Sequence, residues 1–550
     1  MREQKLWGSL HPFVEGGDIL GRGVANEGFL IALAREADFT GYHFFLRDAE
    51  QARWFTSALQ QLFPDLWEGG VFLVQTRREL PAALARARYH CFHLSDCIAD
   101  SLPLIRLRNA CSRHIFPVTG VTHSLSYANF APFFFNRLWQ GCTRRDAIIC
   151  TSSAGQQALK ILFAAQQAAY GLDAAAFPSP RLERIPLGVF PGDFASPGEK
   201  SAFGAAVRKR LGIGEQELAL LVFARISLYS KMDILPLLRA LQRAERMGLP
   251  PGRYTLLLAG HVDSHDSMPG AYTDMAARMG IRLVIVPSPS NAERKELYAA
   301  ADIFLSPVDN LQETFGLTLL EAGASSLPVV ASDFDGYRDI VIHGKTGFLI
   351  PVIGPSTTTG IDALSTLLFD SDYHLLLAQE SAVCVPELAA RIAELAASPD
   401  LRRAFGAAAH EHVVGGYTWK QCIARHMALW EKLAREALAT PPSAAHPLHP
   451  GYARVFGGYY SRLLADCGGA IRVTAYGESI YRRQDLPLVY AGIDHMVDQE
   501  ALRHLLFLAR KPVATEAFLA QAGAAGSPGG EEAAFLVLWA LKHDMLELIV

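Results

Sequence analysis

Residues 301–330 read ADIFLSPVDNLQETFGLTLLEAGASSLPVV: a strand-like apolar run, a polar loop, a helix-forming segment and a second apolar run. Short apolar runs separated by helical patterns are the signature of parallel strands with crossover helices. The first strand is expected to end near Pro307 and the helix to begin near Phe315 or Gly316, which leaves Glu313 in the loop. A helix start presents N–H groups without intrahelical partners, and its dipole favours an anion. The N–H groups of Phe315, Gly316 and Leu317 are therefore expected to face a phosphate or sugar, with Gly316 allowing close approach to the backbone. Carboxylates only accept hydrogen bonds, and a vicinal diol offers two donors. That chemistry suits Glu321 to a ribose and Glu313 to a second sugar. The same two glutamates also read as ordinary acids at a helix start.

Working outward, the alternation continues on both sides. ELALLVFARIS, RYTLLLAGHVD, IRLVIVPS, LPVVASD and GFLIP are strand candidates in the same half. GYHFFLRD, GVFLVQT, YHCFHLSD, FPVTGVTHS and DAIICTSS are strand candidates in the first two hundred residues. The chain is α/β, with two doubly wound halves facing a cleft, and ligands of such sheets gather at the carboxyl ends of the strands. FPSPRLERIPLGVFPGDFASPGEK suits a connection between the halves. The expected divisions are an N-terminal Rossmann-like domain over 1–200, a second over 201–405, and closing helices over 406–440. A linker, ATPPSAAHPLHPG, precedes a small mainly helical unit over 446–550, either a bundle or winged-helix-like.

At those strand ends stand the other candidates. LVFARISLYSKMD places Arg225 at the end of a buried strand and Lys231 six residues on, two cations able to neutralise a diphosphate. PVTGVTHSLSY puts His123 just past a strand, where it can hydrogen-bond a sugar hydroxyl or orient reacting groups. LGRGVANEGF supplies a glycine turn at Gly21 and Gly23 before a helix, a phosphate or acceptor contact. Isolated charges of this kind are also common as solvated surface, and a lone histidine is commonly structural.

Composition narrows the field. With 550 residues the chain is expected to form roughly three to four domains. Half the residues are apolar and 19% charged, with a formal charge of −4, so nothing draws it generally to nucleic acid or anionic membrane. Local basic spots at Arg106, Arg108, Arg113, Arg144 and Arg145 read as solvated surface able to touch lipid headgroups. The eight cysteines lack Cys-x-x-Cys spacing and read as buried thiols in a reducing compartment. MREQKLWGSLHPFVEGG has no apolar run after its charges, and no window reaches the length of a membrane span, so a cytoplasmic location is expected.

FARISLYSK, LLLAGH, LYAAADIFLSP, ETFGLTLLEAGASSLPVVASDFDGYRDIV and HGKTGFLIP, in that order, resemble the donor-binding half of retaining GT-B glycosyltransferases of family 4. The N-terminal half resembles the family more loosely, and YTWKQCIARHMALWEKL resembles its closing helix. The resemblance spans roughly residues 15–438. It implies an enzyme moving a sugar from a nucleotide sugar to an acceptor glycan, lipid-linked sugar, small molecule or protein, with retention and without a metal or other cofactor. It further implies that Arg225 and Lys231 hold the diphosphate and that Glu313 contacts the transferred sugar. The amides of Phe315, Gly316 and Leu317 would touch sugar and phosphate, Glu321 the ribose, and His123 would lie near the reacting carbon. Family members usually carry Gly where this chain has Thr314 and Ser326, and Gly-Gly-x-x-Glu where it has DGYRD, with Asp339 in the Glu position. Asp333 and Asp335 in DFD, and the ligand-rich HVDSHD around Asp263, are weighed as metal sites and set aside, DFD because a polar turn is expected in the loop after the LPVVAS strand. A GT-B sugar-nucleotide epimerase and a non-catalytic sugar-nucleotide or protein binding module are the alternative functions. The C-terminal unit is expected to select a polypeptide acceptor.

Overall fold

The structure is a computed structural model that describes residues 4–14, 21–195, 200–262, 268–365, 367–368, 371–438, 440–523 and 530–549. It divides into two compact units, Met1–His446 and Pro447–Val550. Asp263 lies outside the described residues.

The first lobe of the large unit is a parallel sheet of seven strands: β1 (Leu6–Ser9), β2 (Gly41–Leu46), β3 (Phe72–Thr76), β4 (Tyr89–Leu94), β5 (Val118–Val121), β6 (Ala147–Cys150) and β7 (Arg181–Arg184). Their order is β3-β2-β1-β4-β5-β6-β7, so the order of strand addition reverses at the parallel pair β1 and β4. Two of these strands were not legible in the sequence. β1 is only four residues long, too short for a periodic signal, yet it is an interior strand between β2 and β4, and a Cβ at Gly8 would lie 2.4 Å from the Phe92 ring. β7 lies inside the stretch read as a connection; it is an edge strand whose RLER sequence alternates no apolar face.

The second lobe holds six parallel strands: β8 (Leu218–Phe223), β9 (Tyr254–Gly260), β10 (Leu283–Pro287), β11 (Ile303–Ser306), β12 (Val329–Ser332) and β13 (Gly347–Ile350). The order β10-β9-β8-β11-β12-β13 puts the switch point between β8 and β11. Apolar residues on both sheet faces explain the near-continuous hydrophobic runs: Leu220, Val222 and Leu256 pack against the helices Leu235–Arg246 and Val385–Ala397. Leu221, Leu257 and Phe304 pack on the opposite side with the helices Asn291–Ala300 and Leu317–Ala324.

The closing helix Trp419–Arg435 begins with a capping box from Thr418 and Gln421 and returns to the first lobe. Trp419 lies over the helix Gly21–Glu36, where a Cβ at Gly28 would come within 2.7 Å of its Nε1. Trp430 donates its indole N–H to Thr119 Oγ1 at 3.0 Å. A further insertion after β13 is closed by the antiparallel pair β14 (Val352–Ile353) and β15 (Ala382–Val383), around the helices Thr359–Ser365 and Ser371–Gln379.

The basic-spot reading fails at Arg108, which is fully buried. Its guanidinium donates to both oxygens of Asp146, and Asp146 also accepts from Val118, Thr143 N and Thr143 Oγ1. A charge this deep persists only with every partner in place. All eight cysteines are free; Cys91, Cys97, Cys142, Cys150 and Cys422 are buried, while Cys111, Cys384 and Cys467 are partly exposed. Among the described residues no helix is long and apolar enough to cross a membrane.

The small unit is mainly helical, as expected, but of the two forms weighed the all-helical bundle is ruled out, because its helices share a core with a small sheet. Its centre is the antiparallel sheet β17 (Val513–Ala514), β16 (Ala470–Val473) and β18 (Leu546–Ile549), with β16 in the middle. Ile471, Leu506, Phe518, Val537 and Leu546 form a core of its own. Strands of two to four residues leave too little alternation to be seen in sequence.

Candidate functional site

The carboxyl ends of β8 and β11 flank the second lobe's switch point, and the residues singled out from sequence stand there. After β8 the backbone passes Gly260 so closely that a Cβ there would meet the Ala224 carbonyl oxygen; Gly260 has φ +145°, which L side chains rarely adopt. Arg225 follows, half-buried, with Nη1 donating to Ser230 Oγ at 2.9 Å. The turn then brings Lys231 into contact with Glu313 across the switch point.

Glu313 is the centre of the cluster. One carboxylate oxygen accepts from Lys231 Nζ and, at 3.3 Å, from the Tyr337 hydroxyl; the other accepts the N–H groups of Thr314 and Phe315 at 3.1 and 3.2 Å. Burial pushes this carboxyl up, but the Lys231 charge and these hydrogen bonds more than offset it and hold Glu313 below its ordinary value. It is therefore anionic at neutral pH.

One expectation is corrected here. The Phe315 N–H is not a free donor, because Glu313 itself takes it, and the Phe315 side chain is buried in the core. The loop folds back on its own carboxylate, a local option that spacing does not reveal. Gly316 and Leu317 keep N–H groups without a hydrogen-bond partner among the described residues. Gly316 is the N-cap of Leu317–Ala324 with φ +106°, and a Cβ there would strike the Tyr337 ring at 2.6 Å. The helix mouth is thus open at two amides rather than three.

Glu321 lies further along that helix and is buried, with 4% of its surface exposed. Arg294 Nη1 and the Tyr298 hydroxyl each donate to it at 2.9 Å. Burial, with a smaller push from Asp193, raises its carboxyl despite the opposing effect of Arg294 and Tyr298. No hydrogen bond or ion pair joins Glu321 directly to the Glu313 cluster among the described residues.

In the first lobe, His123 follows β5 and bonds the Ser95 carbonyl through Nε2 at 2.8 Å. A carbonyl only accepts, so Nε2 carries the proton and Nδ1 is left as an acceptor. Burial, with a lesser contribution from Arg22, pulls His123 down to about 4, against the Ser95 bond and Asp96. Gly21 and Gly23 form the first turn of the helix Gly21–Glu36 itself rather than a turn before it.

One participant carried no usable sequence signal. Tyr337 is fully buried and joins Glu313, Ser306 and Lys231; only the fold brings β11, β12 and the turn after β8 together. Asp333 pairs with Arg338 at 2.7 Å. Asp335 is pushed up to about 8, first by burial and then by the nearby Glu313 charge. It has φ +43°, and Ser326 has φ +54°; both stand where the resembling family usually carries Gly, so a left-handed backbone is kept without glycine. At the first lobe's own switch point, His11 bonds Ser95 and Asp100, and Asp100 accepts both Nη atoms of Arg77 at 3.0 and 2.7 Å.

Known proteins place this geometry in context. Residues 218–370 match the family described as Glycosyl transferases group 1. D-inositol 3-phosphate glycosyltransferase of Nocardia farcinica is 34% identical over 180 residues, 32% of this chain and 37% of that one. The protein of the same description from Stackebrandtia nassauensis is 32% identical over 231 residues, 42% of this chain and 49% of that one. The chain thus spans less than half the length of these relatives. Among solved structures, a glycosyltransferase of Rickettsia africae aligns with TM-score 0.55 at 13% identity, covering 80% of this chain and all of the other. Anabaena HepE, solved with UDP and glucose, aligns with TM-score 0.51 at 17% identity, over 78% of this chain and all of that one. The two sheets and their helices are the GT-B fold.

Proposed function

We propose that this chain, a GT-B fold whose residues 218–370 carry the glycosyl transferases group 1 pattern, moves a sugar from a nucleoside diphosphate sugar to a hydroxyl of an acceptor. The observation that carries the reading is the Lys231–Glu313–Tyr337 cluster set beside two open amides at a helix mouth, at the sheet's switch point.

Each role follows from chemistry. The diphosphate lies against the Gly316 and Leu317 amides, with Arg225 and Lys231 offsetting the charge that grows as the phosphate leaves. Glu313, anionic and locked on three sides, accepts hydroxyls of the transferred sugar. Glu321 exchanges part of its bonding with Arg294 and Tyr298 for a ribose diol. Neutral His123 offers Nδ1 to a hydroxyl near the reacting carbon. The leaving phosphate deprotonates the acceptor on the face it departs from, giving retention, and two cationic side chains do the work a metal does elsewhere, so no cofactor is required. The acceptor enters from the first lobe, and the unit Pro447–Val550, with Tyr452 and Tyr459 each 83% exposed, selects a polypeptide acceptor. The cytoplasm, where nucleotide sugars and free thiols coexist, is the proposed location.

The test is a panel of UDP, GDP, ADP and dTDP sugars scored by thermal stabilisation and then by nucleotide release. A matching donor at about a hundred times its dissociation constant adds about 2.7 kcal/mol. No stabilisation by any of the four classes would remove the reading.

A further inference from the structure

The two lobes of the unit Met1–His446 touch at points that flank Glu313 on both sides. On one side, Asp339 accepts the N–H and the hydroxyl of Ser153, both at 2.6 Å. Ser153 is the first residue of the helix Ser153–Ala169 in the first lobe, so a carboxylate from the second lobe caps that helix's positive end. Arg184 stands 3.4 Å from the same carboxylate, the Tyr417 hydroxyl donates to the Asp339 carbonyl at 2.5 Å, and Ser152 approaches Asp335 at 3.4 Å. Asp339 shares its single helical turn, Tyr337–Ile340, with the tyrosine that bonds Glu313. Just before that turn the backbone at Gly336 runs against Phe315, where a Cβ would lie 2.6 Å from the Phe315 Cα.

On the other side, Gln312 precedes Glu313. Its carbonyl accepts from Ser124 Oγ at 2.9 Å, and its amide nitrogen lies 3.2 Å from His374 Nδ1. With Nδ1 accepting from that amide, Nε2 carries the proton, and it lies 2.7 Å from Ser126 Oγ. His374, 1% exposed, comes from the insertion after β13. Two unrelated segments of the second lobe therefore grip the first lobe and, in doing so, hold the residues on either side of Glu313.

We propose that Asp339 and His374 are positioning residues: lobe contact through them fixes the Glu313 loop in the geometry that accepts the sugar. The proposal rests on the sugar-transfer reading of the site. A carboxylate of this length sets how closely the turn approaches the Ser153 helix, and the imidazole sets how closely Gln312 approaches Ser126. Loss of either contact frees one flank of the loop while Lys231 and Tyr337 remain in place.

The test has an arm that needs no donor. Amide hydrogen exchange is followed in the full chain and in the Asp339→Ala and His374→Ala variants. Exchange over 310–317 is expected to quicken at least about tenfold in both, and over 152–156 in Asp339→Ala, with the strand cores unchanged. Asp339→Glu and His374→Gln, which keep an acceptor and a polar reach, are expected to recover part of the protection. Unchanged exchange over 310–317 in both alanine variants overturns the proposal. In the second arm, with whichever nucleotide sugar the wild type consumes, both variants are expected to lose at least about tenfold in kcat with donor KM altered by less than about threefold. A rise in KM alone overturns it. A wild type that consumes no nucleotide sugar counts against the sugar-transfer reading, and the exchange arm is decided independently of it.

Discussion

At the scale of single residues, the cluster works by holding one carboxylate charged where burial opposes it. Glu313 receives a cation, a phenol and two amides. Glu313→Gln keeps the shape but halves the acceptor capacity, and it leaves Lys231 without its counter-charge. Nucleotide release by this variant is expected to fall at least tenfold, about 1.4 kcal/mol of barrier, with the far-UV spectrum unchanged. Asp335 shows the opposite case, a carboxyl driven to about 8 by burial and by Glu313. In the unfolded chain it ionises near its ordinary 3.8, so between those values the folded state holds the extra proton. Stability from this group is full below the lower value and lost as pH rises through the upper one. Asp335→Asn is thus expected to lose less melting temperature than wild type between about pH 5 and about pH 8. Asp309, pushed up to about 7 mainly by burial, titrates in the same interval, so Asp309→Asn serves as the comparison that isolates the Asp335 part.

At the scale of elements, strands end where the chemistry needs them to, and loops complete the site. Gly316 and Gly260 are glycines for stated steric reasons, Tyr337 and Ala224 respectively, while Ser326 and Asp335 accept left-handed backbone that glycine would adopt freely. The first lobe is pinned by the Arg108–Asp146 pair between the helix Ser101–Cys111 and the turn before β6. Removing one partner strands the other charge in the core. Arg108→Met is expected to destabilise the large unit by about 3–5 kcal/mol in denaturant unfolding, and adding Asp146→Leu should not recover that loss, because Val118 N and Thr143 would lose their acceptor.

At the scale of the whole molecule, the chain couples a two-lobed unit to a smaller one with a separate core. The last contacts of the large unit lie at its end: Trp139 Nε1 donates to the Ala445 carbonyl at 2.9 Å, and His446 Nε2 bonds the Asn136 carbonyl at 3.0 Å. A truncation after His446 therefore keeps those bonds and is expected to fold with the same donor stabilisation as the full chain. Its acceptor choice is expected to change, as product analysis over an acceptor panel would reveal. Unchanged products would take acceptor selection away from residues 447–550.

The sequence by itself determined the two alternating halves, the helix mouth after ADIFLSP, and the acids and cations around it, because hydrophobic periodicity and helix-start chemistry act within a few residues of each other. It did not yield β1 or β7, whose short or edge character leaves no periodic trace. Nor did it show that Glu313 takes its own loop's amides, that Tyr337 supports it, or that Asp339 and His374 reach the other lobe. Those pairings join residues up to 248 positions apart, and only the packing of two sheets brings such groups within hydrogen-bond range.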